Sequence, residues 1–142
     1  MRFLLIFLVL SFQCFAQETT KSRKAAKIYR AAKSSVAIQD FYSAKIFLNE
    51  ALIIDNRFVE AWILLGDVSI GLGDKQNGIE AYRKSIPLAP RFSFPMYYRL
   101  AIAEHSLGDY SEALQHIRKY MSSKNISEKY RKKAIALKKS CE

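Results

Sequence analysis

The side chains best suited to chemistry are few and scattered. His105 and His116 are the only imidazoles in 142 residues, and they stand eleven positions apart with no acidic cluster beside them. A zinc site needs three or four converging N, S or O ligands, which this spacing on two different predicted helices does not offer. Asp67, Asp74 and Glu80 fall close together in sequence, the arrangement that paired-carboxylate acid–base chemistry would use. Asp74, however, follows a glycine at the start of a helical pattern and reads as an N-cap, and Glu80 reads as part of a solvated face. The chain has no G-x-S-x-G nucleophile elbow, no phosphate-cradling glycine loop and no H-E-x-x-H pair. The expectation is therefore a non-enzymatic protein without metal or cofactor. Cys14 and Cys141 are too few for a disulfide framework, and Cys141 alone could at most cross-link two chains.

With catalysis set aside, charge is the next candidate for function. There are 23 Lys+Arg against 13 Asp+Glu, a net charge of +10. Lys21, Arg23, Lys24, Lys27, Arg30 and Lys33 form one basic block, and Lys129, Arg131, Lys132, Lys133, Lys138 and Lys139 form another. Between Ser34 and Ile117 lie seven basic and ten acidic residues, so the middle is slightly acidic. Two basic ends suit solvated helix faces, or contact with anionic lipid, cell-wall polymer or an acidic partner. No nucleic-acid-binding module accompanies them, and nucleic acid is not expected as a partner. Half of the residues are hydrophobic, with only 5 Gly and 3 Pro, which excludes a disordered or loop-rich chain and fits one ordinary domain.

Residues 1–16, MRFLLIFLVLSFQCFA, place one cation before an apolar run and end on a small residue. The run is shorter than a membrane-spanning helix needs, and a cleaved signal peptide is the expected reading. An uncleaved anchor and lipidation at Cys14 are the alternatives. Cleavage would leave an exported chain that starts at Gln17, with residues 17–24 as a polar and basic lead-in.

The elements that position everything else repeat. Gln39-Asp40, Gly73-Asp74 and Gly108-Asp109 recur at steps of 34 and 35 residues, each flanked by apolar residues three and four positions apart. That is helical periodicity with a turn at a fixed place. The pattern resembles the tetratricopeptide repeat, a helix–turn–helix unit. Its second copy, 59–92, carries Trp62, Leu65 and Gly66 at the opening signature, Gly73 at the turn, then Tyr82 and Pro90. The first copy, 25–58, keeps small Ala32, Ala44 and Ala51. The third, 94–126, keeps Leu100, Ala101, Gly108 and Ala113. Small residues let paired helices approach closely. Turn glycines supply a positive φ, and the following aspartates cap the next helix. Since no copy can bury its own apolar face, the copies must stack. The expected fold is an all-α right-handed superhelix of three repeats, closed by a basic capping helix over 127–140.

The resemblance implies a concave surface lined by the first helix of each copy, which in the family holds peptides or a partner's helix. By position, that surface here is Tyr29, Arg30 and Lys33, then Ile63, Leu64 and Asp67, then Tyr98, Arg99, Ile102 and His105, with Arg131 from the cap. His116 is expected to be partly packed. Lys33 and Asp67 replace the asparagines of the family's chaperone-binding clamp, so that activity is not implied. Signal, three repeats and a basic closing helix also look like the N-terminal region of Bacteroidetes envelope proteins, which continue with a β-propeller and a peptidoglycan-binding domain similar to outer membrane protein A. Some of these belong to type IX secretion and gliding assemblies. The implied function is a periplasmic or outer-membrane-associated scaffold for a protein or peptide partner. Electrostatic attachment to anionic membrane or cell wall is the alternative, and the oligomeric state is left open.

Overall fold

A computed structural model of the protein describes residues 19–90 and 93–142, so the expected signal segment lies outside the described residues. Among the described residues there are seven α-helices and no strands: α1 (Arg23–Ala37), α2 (Phe41–Ile54), α3 (Val59–Gly71), α4 (Lys75–Leu88), α5 (Phe94–His105), α6 (Tyr110–Met121) and α7 (Glu128–Cys141). α1 pairs with α2, α3 with α4 and α5 with α6, while α2–α3, α4–α5 and α6–α7 join each pair to the next element. Three helical hairpins and a closing helix form the right-handed superhelix.

The turn inside each hairpin has one geometry. Gln39, Gly73 and Gly108 occupy the left-handed region, with φ of 61°, 81° and 85°. In every copy this residue's N–H returns to the carbonyl three positions back, and the next residue's N–H to the carbonyl five back. The pairs are Gln39–Val36 and Asp40–Ser35, then Gly73–Ile70 and Asp74–Ser69, then Gly108–His105 and Asp109–Glu104, all at 2.9–3.0 Å. Two otherwise orphaned carbonyls are thereby satisfied at each helix end, the Schellman arrangement. Glycine adopts this conformation without penalty, whereas Gln39 carries a Cβ there at a cost of about 1 kcal/mol.

The aspartate after each turn starts the following helix. An Asp40 carboxylate oxygen accepts the Ser43 N–H at 3.0 Å, and Asp74 accepts the Asn77 N–H at 3.4 Å. Asp109 stands at the same place but accepts no such bond. α3 lacks a polar cap of its own, because Phe58 precedes it. Thr19 supplies one from a distance. Its hydroxyl accepts the Val59 N–H at 3.0 Å and donates to Glu60 at 2.6 Å, fixing the lead-in across the start of the second hairpin.

Two apolar clusters run through the array. One gathers Ala32, Ala44, Leu48, Phe58, Leu65 and Val68 from the first two hairpins. The other gathers Ile79, Tyr82, Leu100, Ala101, Ile117 and Ala134 from the later elements. Ala32, Gly66 and Ala101 are the equivalent small positions of the three first helices. At Gly66 the requirement is strict, because a Cβ there would lie 2.3 Å from the Tyr82 ring.

Candidate functional site

The approach of Tyr82 to Gly66 sets up the first polar feature. With its ring laid against α3, the Tyr82 hydroxyl reaches Asp67, one residue along, and donates to its carboxylate at 2.6 Å. Arg99 of α5 donates to the same oxygen, and its guanidinium lies 6.0 Å from the Tyr82 ring centroid. Asp67, Tyr82 and Arg99 thus bind α3, α4 and α5 together. Burial, reinforced by the hydrogen bond to Asp67, pushes the Tyr82 hydroxyl well above the ordinary phenol range, so it remains a donor at any physiological pH.

A second bridge crosses the same junction below the surface. Glu104 is fully buried, yet its carboxylate accepts from Arg83 Nη2 at 2.7 Å and from His116 Nδ1 at 2.7 Å. The His116 ring stacks on Tyr97, with centroids 5.8 Å apart. A buried carboxylate without partners would cost several kcal/mol, and here both oxygens are committed. His116 therefore has a structural role, holding α6 to α5. Among the described residues no group of three His, Cys, Asp or Glu side chains is placed to ligate a metal ion.

Beyond Arg99 the surface opens. A cleft of about 870 Å³ lies between α5, the end of α6, the connection at 123–127 and α7. Its wall on α5 is Phe94, Pro95, Tyr98, Arg99 and Ile102, one face of the helix at three- and four-residue spacing. Opposite stand Tyr120, Ile126 and Tyr130. The Tyr98 ring centroid is 5.0 Å from that of Tyr120 and 6.2 Å, edge to face, from that of Tyr130. Burial raises the pKa of both Tyr98 and Tyr120. Their hydroxyls stay protonated, leaving neutral donors on an aromatic floor. Such a surface can stack against flat or apolar side chains and hydrogen-bond to a peptide backbone.

Of the residues expected to form a partner surface, Tyr98, Arg99 and Ile102 line this cleft, and Asp67 adjoins it through Arg99. Tyr29 packs its ring on Phe58 at 4.8 Å, with Lys33 Nζ 5.8 Å from its centroid. Arg30 and Lys33 are exposed on α1, while Ile63 and Leu64 are partly buried against the two apolar clusters. His105 meets Tyr110 edge to face at 5.2 Å, and Arg131 follows the residue that faces the cleft. Sequence reasoning missed Phe94, Tyr120, Ile126 and Tyr130, because three of them lie outside the first helices of the repeats and Phe94 opens one. It also missed Glu104. The available signal was that a glutamate stands where the other copies have buried Ser35 and Ser69.

Residues 59–92 and 94–127 match the family model of the tetratricopeptide repeat, so the second and third hairpins are repeats of that family. A search of curated proteins found no significant sequence match. Solved structures share the fold. The crystal structure of MamA is 21% identical at a TM-score of 0.67, over 82% of this chain and 75% of that one. The Yersinia enterocolitica type III secretion chaperone SycD, solved in complex with a peptide of the translocator YopD, is 12% identical at 0.74, over 84% and 93%. The first tetratricopeptide domain of Spaghetti (RPAP3), bound to the HSP90 peptide SRMEEVD, is 11% identical at 0.75, over 85% and 95%.

Proposed function

We propose that this array of tetratricopeptide repeats is a non-enzymatic scaffold that holds a peptide or helix of a protein partner in the cleft between α5 and α7. The single observation that carries this reading is the cleft itself, with three tyrosines and an arginine around about 870 Å³ of open volume. Tyrosine and arginine are the residue types over-represented where interfaces concentrate their binding energy. Two neighbours of the same fold were solved with peptides bound, which supports the same use here. The apolar N-terminal stretch ending at Ala16 supports export, and the resemblance to Bacteroidetes envelope proteins points to an envelope partner in a Gram-negative bacterium, including one of a type IX secretion assembly.

Affinity capture from envelope fractions tests the site. The wild type should retain a partner set that the Tyr98→Ala/Tyr130→Ala variant loses, and identical sets would remove the cleft from consideration. Mass spectrometry of the chain from a periplasmic fraction should find Gln17 as its first residue.

A second reading rests on the terminal helices. α1 leaves Arg23, Lys24, Lys27 and Lys33 exposed, and α7 leaves Lys129, Lys132, Lys133 and Lys139 exposed. Such rows attract anionic lipid or cell-wall polymer. Co-sedimentation with anionic vesicles or peptidoglycan should then fall steeply between low and high salt; no binding at low salt rejects this reading.

A further inference from the structure

The outward face of α2 differs from its counterparts. Its inner face buries Ala44, Leu48, Ala51 and Leu52, as the packing requires. Its outer face carries Tyr42, Ile46 and Ile53 at 76%, 66% and 85% exposure. The repeat steps place Gln76, Glu80 and Pro87 at these positions in the second hairpin, and Ser111, Gln115 and Ser122 in the third, all exposed. Only the first hairpin turns large apolar side chains outward there. A helix that is apolar on both faces belongs between two partners.

We propose that this face of α2 is a homodimer interface, formed by α2 of a second copy lying antiparallel across it. The exposed positions 42, 46, 49 and 53 are spaced four, three and four, a pattern that reads the same in both directions. Two antiparallel copies therefore set Tyr42 of each against Ile53 of the other, with Ile46 and Asn49 sharing the middle. A single polar residue such as Asn49 in an apolar seam fixes register. With Asn49, the stripe exposes on the order of 500 Å² per copy, so pairing buries at most about 1,000 Å², the lower limit of a specific interface. Lipid is a poorer occupant. The one cation of α2, Lys45, is paired with Asp74 at 2.9 Å, and the exposed charge beside the stripe is Glu50, which anionic headgroups repel.

Sedimentation velocity of the exported chain, with reductant present so that Cys141 contributes nothing, tests this. A monomer–dimer equilibrium with Kd on the order of 10 μM is expected. Ile46→Glu should weaken it at least roughly tenfold, whereas Gln115→Glu, the same position in the third hairpin, should not. If Ile46→Glu does not fold, judged by circular dichroism, the decision passes to disulfide trapping in a Cys141→Ser background. A mixture of the Tyr42→Cys and Ile53→Cys chains should cross-link faster than either chain alone. A wild type that is monomeric at 100-fold higher concentration than the expected ~10 μM Kd overturns the proposal, as does equal cross-linking in all three samples. Dimerisation that survives a folded Ile46→Glu, or vesicle binding that Ile46→Glu abolishes in a monomeric wild type, overturns it as well.

Discussion

Two junctions in the array are built on equivalent positions and end differently. Between the second and third hairpins, Asp67, Tyr82 and Arg99 close the surface while Arg83 and Glu104 tie it underneath. Between the third hairpin and α7, the positions of Asp67 and Tyr82 are taken by Ile102 and Ile117, and that of Arg99 by Lys133. Neither isoleucine offers a side-chain acceptor, so the polar link of the earlier junction has no counterpart here. α7 docks on α6 much as α5 docks on α4 and also touches α5, and the cleft lies beside that contact. The two junctions thus differ in chemistry: one carries a polar lock, and the other leaves apolar and aromatic side chains around an open cleft. α2 shows a second such difference, with Tyr42, Ile46 and Ile53 at positions that the other copies fill with polar residues or Pro87.

The largest expected effect breaks the closed junction at its origin. Gly66→Ala forces the Tyr82 ring away from α3 and its hydroxyl away from Asp67, for a loss of about 2–3 kcal/mol in urea denaturation. Glu104→Ala strands Arg83 and His116 and should cost about 2 kcal/mol, less than a fully buried pair because Arg83 is half exposed. At the open junction the same kind of truncation should leave stability nearly intact. Tyr130→Ala, at a side chain that is 45% exposed, is expected to change the unfolding free energy by under ~1 kcal/mol and to weaken partner binding by roughly tenfold or more.

Acid sharpens the contrast among the caps. The Asn77 side chain and Lys45 hold the Asp74 carboxyl below the usual range. A carboxyl with a lowered folded pKa adds stability above its unfolded value of about 3.9 and loses it as pH falls through the folded value. Asp74→Asn should therefore lessen the loss of stability in acid below about pH 4, read as the urea midpoint against pH. The smallest effect is a gain. Gln39→Gly relieves a left-handed side chain but loosens the unfolded chain, for a net stabilisation of about 0.5 kcal/mol by thermal unfolding.

The hairpins were legible because their signals are local. Small residues at 32, 66 and 101 and turns at 39, 73 and 108 report helix pairing within a few dozen positions. The cleft was legible only on its α5 side, where Tyr98, Arg99 and Ile102 follow a single helical face. Tyr120 joins it from the end of α6 and Tyr130 from α7, through packing between helices that residue spacing alone does not encode. Asp67 and Arg99 were read as two groove charges, yet they neutralise each other, because the reach of Tyr82 across Gly66 depends on a side-chain path and not on a motif. Glu104 escaped for a related reason. A glutamate inside a helix reads as solvated until its partners on two other helices are placed.

Site-directed photo-cross-linking tests the open-junction claim most directly, with the reactive residue placed in turn at Ile102, at Lys33, its counterpart in the first hairpin, and at exposed Gln115 on α6. A partner adduct should be strongest from Ile102, weaker from Lys33 and absent from Gln115. An adduct from Gln115 as strong as that from Ile102, or none from Ile102, would contradict it.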